Sequence, residues 1–224
     1  MENDVTPEAV GLYRNARNLL IEMKRLTKEA EEAKRSGQDW IAIGNHRSHQ
    51  KKLEALSLFE RIEALGENNQ GLQQHQVYAL AKRNLGVYGR TNNGNHERVI
   101  DDLTRALSLG VKKDAAVCHR LGMAYILSWR IKEAIGPLKE AVEFNERDGW
   151  ARYWLCNAYL DLGEKENARE QYEALRQMPP GIHAPHHHVV AAMERRFEKG
   201  KCGPLTSLCD GDTTALQARW KKLS

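Results

Sequence analysis

The side chains with the strongest claim to chemistry lie towards the C-terminal end: His183, His186, His187 and His188, followed by Cys202 and Cys209. Imidazole and thiolate are zinc ligands, so metal binding is the chemistry such a cluster would serve. Structural zinc sites, however, pair their cysteines closely, as in C-x₂₋₄-C. Here the two cysteines stand seven positions apart, which is ligand type without ligand spacing. The expectation is a solvated stretch with no metal. Two further cysteines, Cys118 and Cys156, fall at packing positions of helices and not in the exposed, electropositive setting that activates a thiol. The chain contains no G-x-S-x-G, no phosphate-cradling glycine loop and no H-E-x-x-H. No catalytic residue, no cofactor and no enzymatic activity are therefore expected.

A different chemistry, recognition, is better represented. Arginine and the aromatics are the types that dominate binding energy at interfaces, and they gather at Arg83, at Arg120 and at Trp150, Tyr153 and Trp154. Two tryptophans and a tyrosine within five residues exceed what packing a single helix requires. The competing reading is that Trp150 and Trp154 pack on a neighbouring element, because aromatic side chains also build cores.

The elements that carry these clusters repeat. Leu121, Gly122 and Tyr125, then Ala134, Leu138 and Ala141, recur 34 residues later as Leu155, Cys156 and Tyr159, then Ala168, Tyr172 and Leu175. Self-similarity at a fixed period dictates architecture, because each unit must be covered by its neighbour. Helical periodicity places helices near 115–128 and 131–144, and again near 149–162 and 165–177. Leu121 and Tyr125, or Leu155 and Tyr159, are four apart and share one helix face. Gly122 and Cys156 mark the closest approach of paired helices, and Ala134 and Ala168 answer them from the second helix. Bulk at these places would overpack the pair.

This order of residues resembles the tetratricopeptide repeat, whose pattern runs W-x₂-L-G-x₂-Y, then A-x₃-F, then proline. Gly163 sits at the turn of the later copy and Pro180 closes it. Departures are also plain. Cys118 and Arg152 replace the first aromatic, Trp129 stands at the glycine of the turn, and Glu146 at the closing proline. The resemblance implies an all-α, right-handed helical solenoid of the tetratricopeptide kind. Its function would be that of an adaptor or scaffold holding a partner's peptide or helix in a concave groove lined by first helices. Carried over by helix face, the groove residues are Arg83, Asn84 and Val87; His119, Arg120, Met123 and Leu127; and Trp150, Tyr153, Trp154, Asn157 and Asp161. Some co-chaperones of the family hold a C-terminal carboxylate with lysines and asparagines. The matching places here, Arg83, Asn84, His119, Arg120, Tyr153 and Asn157, contain no lysine, so that activity is not expected. Replacing Arg120 by Glu and Tyr153 by Ala together is expected to abolish partner capture and leave the fold intact.

The rest of the chain is read as a frame for these repeats. Thr6, Pro7 and Glu8 start a helix. Leu12, Ala16, Leu19, Met23, Leu26, Ala30 and Ala33 then form a heptad-like seam to about Arg35. That seam serves either an antiparallel hairpin with the next helix or a homodimer through the N-terminal helix. Residues 39–65, with Trp40, Ile43, Gly44, Ala55, Phe59 and Ile62, are a divergent first repeat or one long helix. Gly66 to Gly71 is a breaker. A degenerate repeat follows at 72–108, with a helix over 72–88, a long loop from Gly89 to Asn95, and Val99, Leu103 and Ala106 on its second helix. The resulting divisions are 1–66, the repeats at 72–180 (clear copies at 115–146 and 149–180), and 181–224. The last division carries a capping helix over 185–199 (His187, Val189, Val190, Met193, Phe197) and a tail helix with Leu216 and Trp220.

Composition fits this frame. The 224 residues are 29% charged with a net charge of +4, and mean hydropathy is −0.65 with a pI near 8.8. The bias is too mild to demand nucleic acid. Lys24-Arg25, Lys34-Arg35, Lys82-Arg83, Arg195-Arg196 and Lys221-Lys222 are scattered and read as solvated helix surface. Nucleic-acid binding through these basic helix surfaces is the alternative function. The opening residues lack a basic and then apolar leader, and no stretch has the length of a membrane span. A reduced, cytoplasmic protein without a membrane partner is expected.

Overall fold

The computed structural model describes residues 7–37, 46–89 and 95–179, together with the single positions Val190, Met193 and Phe197. Among these the regular structure is entirely α-helical. The chain divides into two compact units, Met1–Lys113 and Asp114–Ser224.

Unit 1 begins with α1 (Pro7–Arg35) packed against α2 (His46–Glu67). The two run antiparallel, as their cross-links show. Glu8 pairs with Arg61 at 3.3 Å, Glu22 with Lys51 at 4.0 Å, and the Thr27 and Ser48 hydroxyls meet at 2.7 Å. The N-terminal seam is thus used within one chain, as a hairpin. Its register differs slightly from the heptad reading, for Leu20 is buried where Leu19 was expected, and Leu19 and Met23 flank the core. The buried set Ala9, Leu12, Ala16, Leu20 follows the true helical period, from which a strict heptad drifts over a straight helix. Residues 46–67 form one helix, with Ala55, Phe59 and Ile62 fully buried. Trp40, Ile43 and Gly44 lie outside the described residues.

The glycine-rich breaker is a turn inside unit 1, not a domain boundary. After α2 the short α3 (Gln70–Gln73) is capped by Asn69, whose Oδ1 accepts from Leu72 N at 2.9 Å. The helix expected over 72–88 is therefore broken, and α4 runs Gln76–Tyr88. His75 starts it, its Nδ1 accepting from Val77 N at 3.1 Å. Phe59 and Ile62 share one core with Leu72, Val77, Tyr78, Ala81 and Leu85, which joins the segments on either side of the turn. Helix α5 (His96–Ser108) buries Val99, Leu103 and Ala106, as the repeat spacing requires. Most of the long loop before it lies outside the described residues.

Unit 2 contains α6 (Ala115–Leu127), α7 (Ile131–Phe144), α8 (Gly149–Asp161) and α9 (Lys165–Gln177), within one residue of the periodicity reading. Pairing depends on the small positions. A Cβ on Gly122 would come within 2.7 Å of Leu138 Cδ2, and one on Gly86 of unit 1 within 2.5 Å of Leu103. In the later copy Cys156 fills the place, its thiol donating to the Ala168 carbonyl at 3.1 Å. Both turns close with the same pair of backbone bonds. Trp129 N reaches Ile126 O and Arg130 N reaches Tyr125 O, just as Gly163 N reaches Leu160 O and Glu164 N reaches Tyr159 O. This helix ending needs a left-handed residue. Gly163 has φ 78°, and Trp129 is forced to φ 63°.

Other departures from the repeat pattern find local compensation. Cys118 is buried beside Ala141 and Ala151. Arg152 donates to Gln171 Oε1 at 3.1 Å and to the Glu146 carbonyl at 3.2 Å. Pro137 lies inside α7, where its ring leaves the Glu133 carbonyl without an i+4 donor. Val190, Met193 and Phe197 do pack on unit 2, and Phe197 lies 5.2 Å from Tyr172, centroid to centroid. The remainder of the expected capping helix, the tail with Leu216 and Trp220, and the histidine–cysteine cluster lie outside the described residues.

Candidate functional site: two first-helix faces

In unit 1 the faces of α1 and α4 enclose an open cleft of about 330 Å³. Its cations are Arg17 and Lys24 from α1 and Arg83 from α4. Tyr13 and Tyr88 stand at its sides, and Leu20, Ile21 and Leu80 supply aliphatic surface. None of the described residues lining it is acidic. Tyr13, Arg17, Leu20 and Lys24 are spaced three and four apart, with Ile21 beside Leu20, so one stripe of α1 faces the cleft. Ile21 is 57% exposed. Asn84 is buried and acts as a bracket: its amide donates to the Leu80 carbonyl at 2.9 Å, and its oxygen accepts from Arg83 Nη1 at 3.3 Å. Asn84 is therefore a support for Arg83 and not itself a surface contact.

Lys82, expected on solvated surface, is instead drawn inward. Its Nζ meets Glu63 of α2 and Asp102 of α5 at 2.5 and 2.9 Å, and Arg98 reaches the other Glu63 oxygen at 3.1 Å. Burial alone would pull Lys82 down, but the hydrogen bonds and charges of Glu63 and Asp102 outweigh it and hold the ammonium above the ordinary lysine value. One signal in the sequence pointed here. Asp102 falls between Val99, Leu103 and Ala106 on the stripe that must be buried, so a cation had to meet it.

In unit 2 the matching face is mostly closed. Tyr153 is only 1% exposed, held edge-on between Trp150 (5.7 Å) and Trp154 (5.5 Å). It shares a core with Met193, Leu155 and Tyr159. Asn157 is also buried, donating to the Tyr153 carbonyl at 2.8 Å. Neither Tyr153 nor Asn157 is open to a partner, which corrects their assignment as groove contacts. A tyrosine on the inner face was legible, but the core it joins also takes in Met193, about forty positions further along the chain. The expectation that Tyr153→Ala spares the fold falls with it. Trp150 and Trp154 are half-buried against the same core and keep an outer edge.

His119, on α6, has a definite internal role. Its Nδ1 lies 2.8 Å from Asp148 Oδ2, while Asp148 Oδ1 accepts from Ala151 N at 3.0 Å and caps α8. One carboxylate thus ties successive repeats together. Arg120 is half-buried, and burial pulls its guanidinium below the ordinary arginine value. Met123 is half-buried too. Of the nine expected contacts, the structure leaves Arg83, His119, Arg120, Met123, Trp150 and Trp154 with some surface. Tyr153, Asn157 and Asn84 are interior. Among the described residues no cluster of metal-ligating side chains occurs, and no helix is long and apolar enough to cross a membrane.

The helix pairs, small contact positions and shared turn endings define a tetratricopeptide-like helical repeat. A solved structure agrees with that fold. YrrB, described as a tetratricopeptide-repeat protein with an unusual peptide-binding site, superposes with a TM-score of 0.50 at 19% identity, covering 78% of this chain and 86% of its own. TTC0263, a thermophilic tetratricopeptide-repeat protein of Thermus thermophilus, gives a lower TM-score of 0.40 at 21% identity, covering 84% of this chain and 98% of its own. No family model matches the sequence, and no curated protein does.

Proposed function

We propose that the chain is a non-enzymatic adaptor or scaffold, cytoplasmic in location, that binds a peptide or helix of a partner protein on the first-helix faces of its repeats. The supporting observation is that these faces keep large side chains with partial surface away from the positions that pair the helices. The pairs are held by Gly86 against Leu103 and Gly122 against Leu138, whereas Arg83, Trp150 and Trp154 present partial surface elsewhere. Arginine and tryptophan are the residue types most often decisive when an interface forms. YrrB, with a similar fold, is described as having a peptide-binding site, which agrees with this use of the scaffold. The test is quantitative affinity capture from the native cell with wild type and with the pair Arg83→Glu and Trp154→Ala. Trp154 replaces the buried Tyr153 as the informative position. Specific proteins should be lost with the variant while its melting transition persists. An unchanged set of captured proteins would refute the reading.

A further inference from the structure

We infer that the α1–α4 cleft of unit 1 is a docking site for an acidic segment of a partner protein, one in which side-chain carboxylates flank an aliphatic or aromatic residue. The inference rests on the interaction reading above and gives it a place and a ligand chemistry. Charge complementarity carries it. Arg17 and Lys24, neighbours on one stripe of α1, line a cleft with no acidic lining residue among those described, although the whole chain carries 30 acidic residues against 34 lysines and arginines. A local excess of cations on a nearly balanced surface attracts anions and steers their approach.

The surfaces between the cations decide what kind of anion. Ile21 is 57% exposed, and Tyr13 and Tyr88 are half-buried beside it, so the cleft offers apolar surface next to charge. A volume of about 330 Å³ matches a few side chains of a peptide and not a folded domain. A nucleic-acid strand would present a phosphate at every step and gain nothing from Ile21. An acidic-apolar peptide uses both features. Arg83 adjoins Arg17 and Lys24 from α4, its Nη1 donating to the buried Asn84. Arg17 and Lys24 lie on exposed turns of α1 and can be changed without touching the core.

The test is selection of random displayed peptides on the full chain, followed by fluorescence titration of the enriched sequences. Enriched peptides should combine Asp or Glu with Leu, Ile or Phe. They should bind the Arg17→Glu, Lys24→Glu variant at least about tenfold more weakly, and lose affinity as salt is raised. If the reversed protein loses helicity, Arg17→Gln with Lys24→Gln should show the same loss in smaller degree. Peptides that bind these variants and wild type alike would overturn the cleft and leave the interaction reading standing. So would a labelled oligouridine that competes for the cleft and is released by the same substitutions. Failure to enrich any peptide over bare support would remove both readings together.

Discussion

In unit 1 the face shared by α1 and α4 stays open around cations, whereas in unit 2 the face of α8 is closed over a tyrosine. A small residue holds the helix pair behind each, Gly86 against Leu103 in unit 1 and Cys156 against Ala168 in unit 2. Pairing positions fix the scaffold, and the opposite stripe is left to vary. In unit 1 that stripe is Arg83 on an Asn84 bracket. In unit 2 it is a ring of aromatics that has become core. A change on this stripe therefore spares the core in the first unit and disturbs it in the second.

The contrast can be broken most forcefully at Tyr153. Tyr153→Ala should cost about 4 kcal/mol, the usual range for emptying a buried aromatic site, read as a lower denaturant midpoint. A variant that melts like wild type would mean the face is open after all. Next comes Lys82→Met in unit 1, which strands Glu63 and Asp102 with one fewer cation and should cost about 3 kcal/mol. Its pH dependence has a definite sign. Lys82 titrates above its ordinary value in the folded protein, so its contribution is complete below that ordinary value. It is lost as pH rises through the folded one. The stability gap between wild type and Lys82→Met should shrink in strongly alkaline buffer and stay constant near neutrality.

Gly122→Ala should cost about 2 kcal/mol through overpacking against Leu138, which is fully buried and cannot swing away. The smallest effect has the opposite sign. Trp129→Gly should raise stability by roughly 0.5 to 1 kcal/mol, the left-handed strain released less the added freedom of the unfolded chain. Trp129→Ala keeps the strain and should fall below both. Calorimetry of the three proteins checks that order.

Much of this scaffold was readable in the residues. The spacing of Leu121, Tyr125, Ala134 and Leu138, and its echo from Leu155 to Tyr172, placed four helices because period and packing are local properties of sequence. Trp129 and Glu146 marked in advance the places where the chain would need other means of turning. The faces were less legible. Tyr153 and Asn157 have the right helix phase for a groove, but Tyr153 belongs to a core that also takes in Met193, far along the chain. Lys82 looked like surface because its two carboxylate partners lie about twenty residues away on either side. The cleft escaped notice for the same reason, since Arg17 and Arg83 meet only once α1 folds back through α2.

The Asp148 carboxylate caps the first turn of α8 and grips His119 of α6. Fraying of that turn and separation of the two repeats are therefore a single event. In hydrogen exchange the amides of Ala151 and its neighbours should open with the α6–α8 contact as one cooperative unit, where a free helix end would exchange almost at once. Asp148→Ala should uncouple them, so that a local helix end regains its independence from the array.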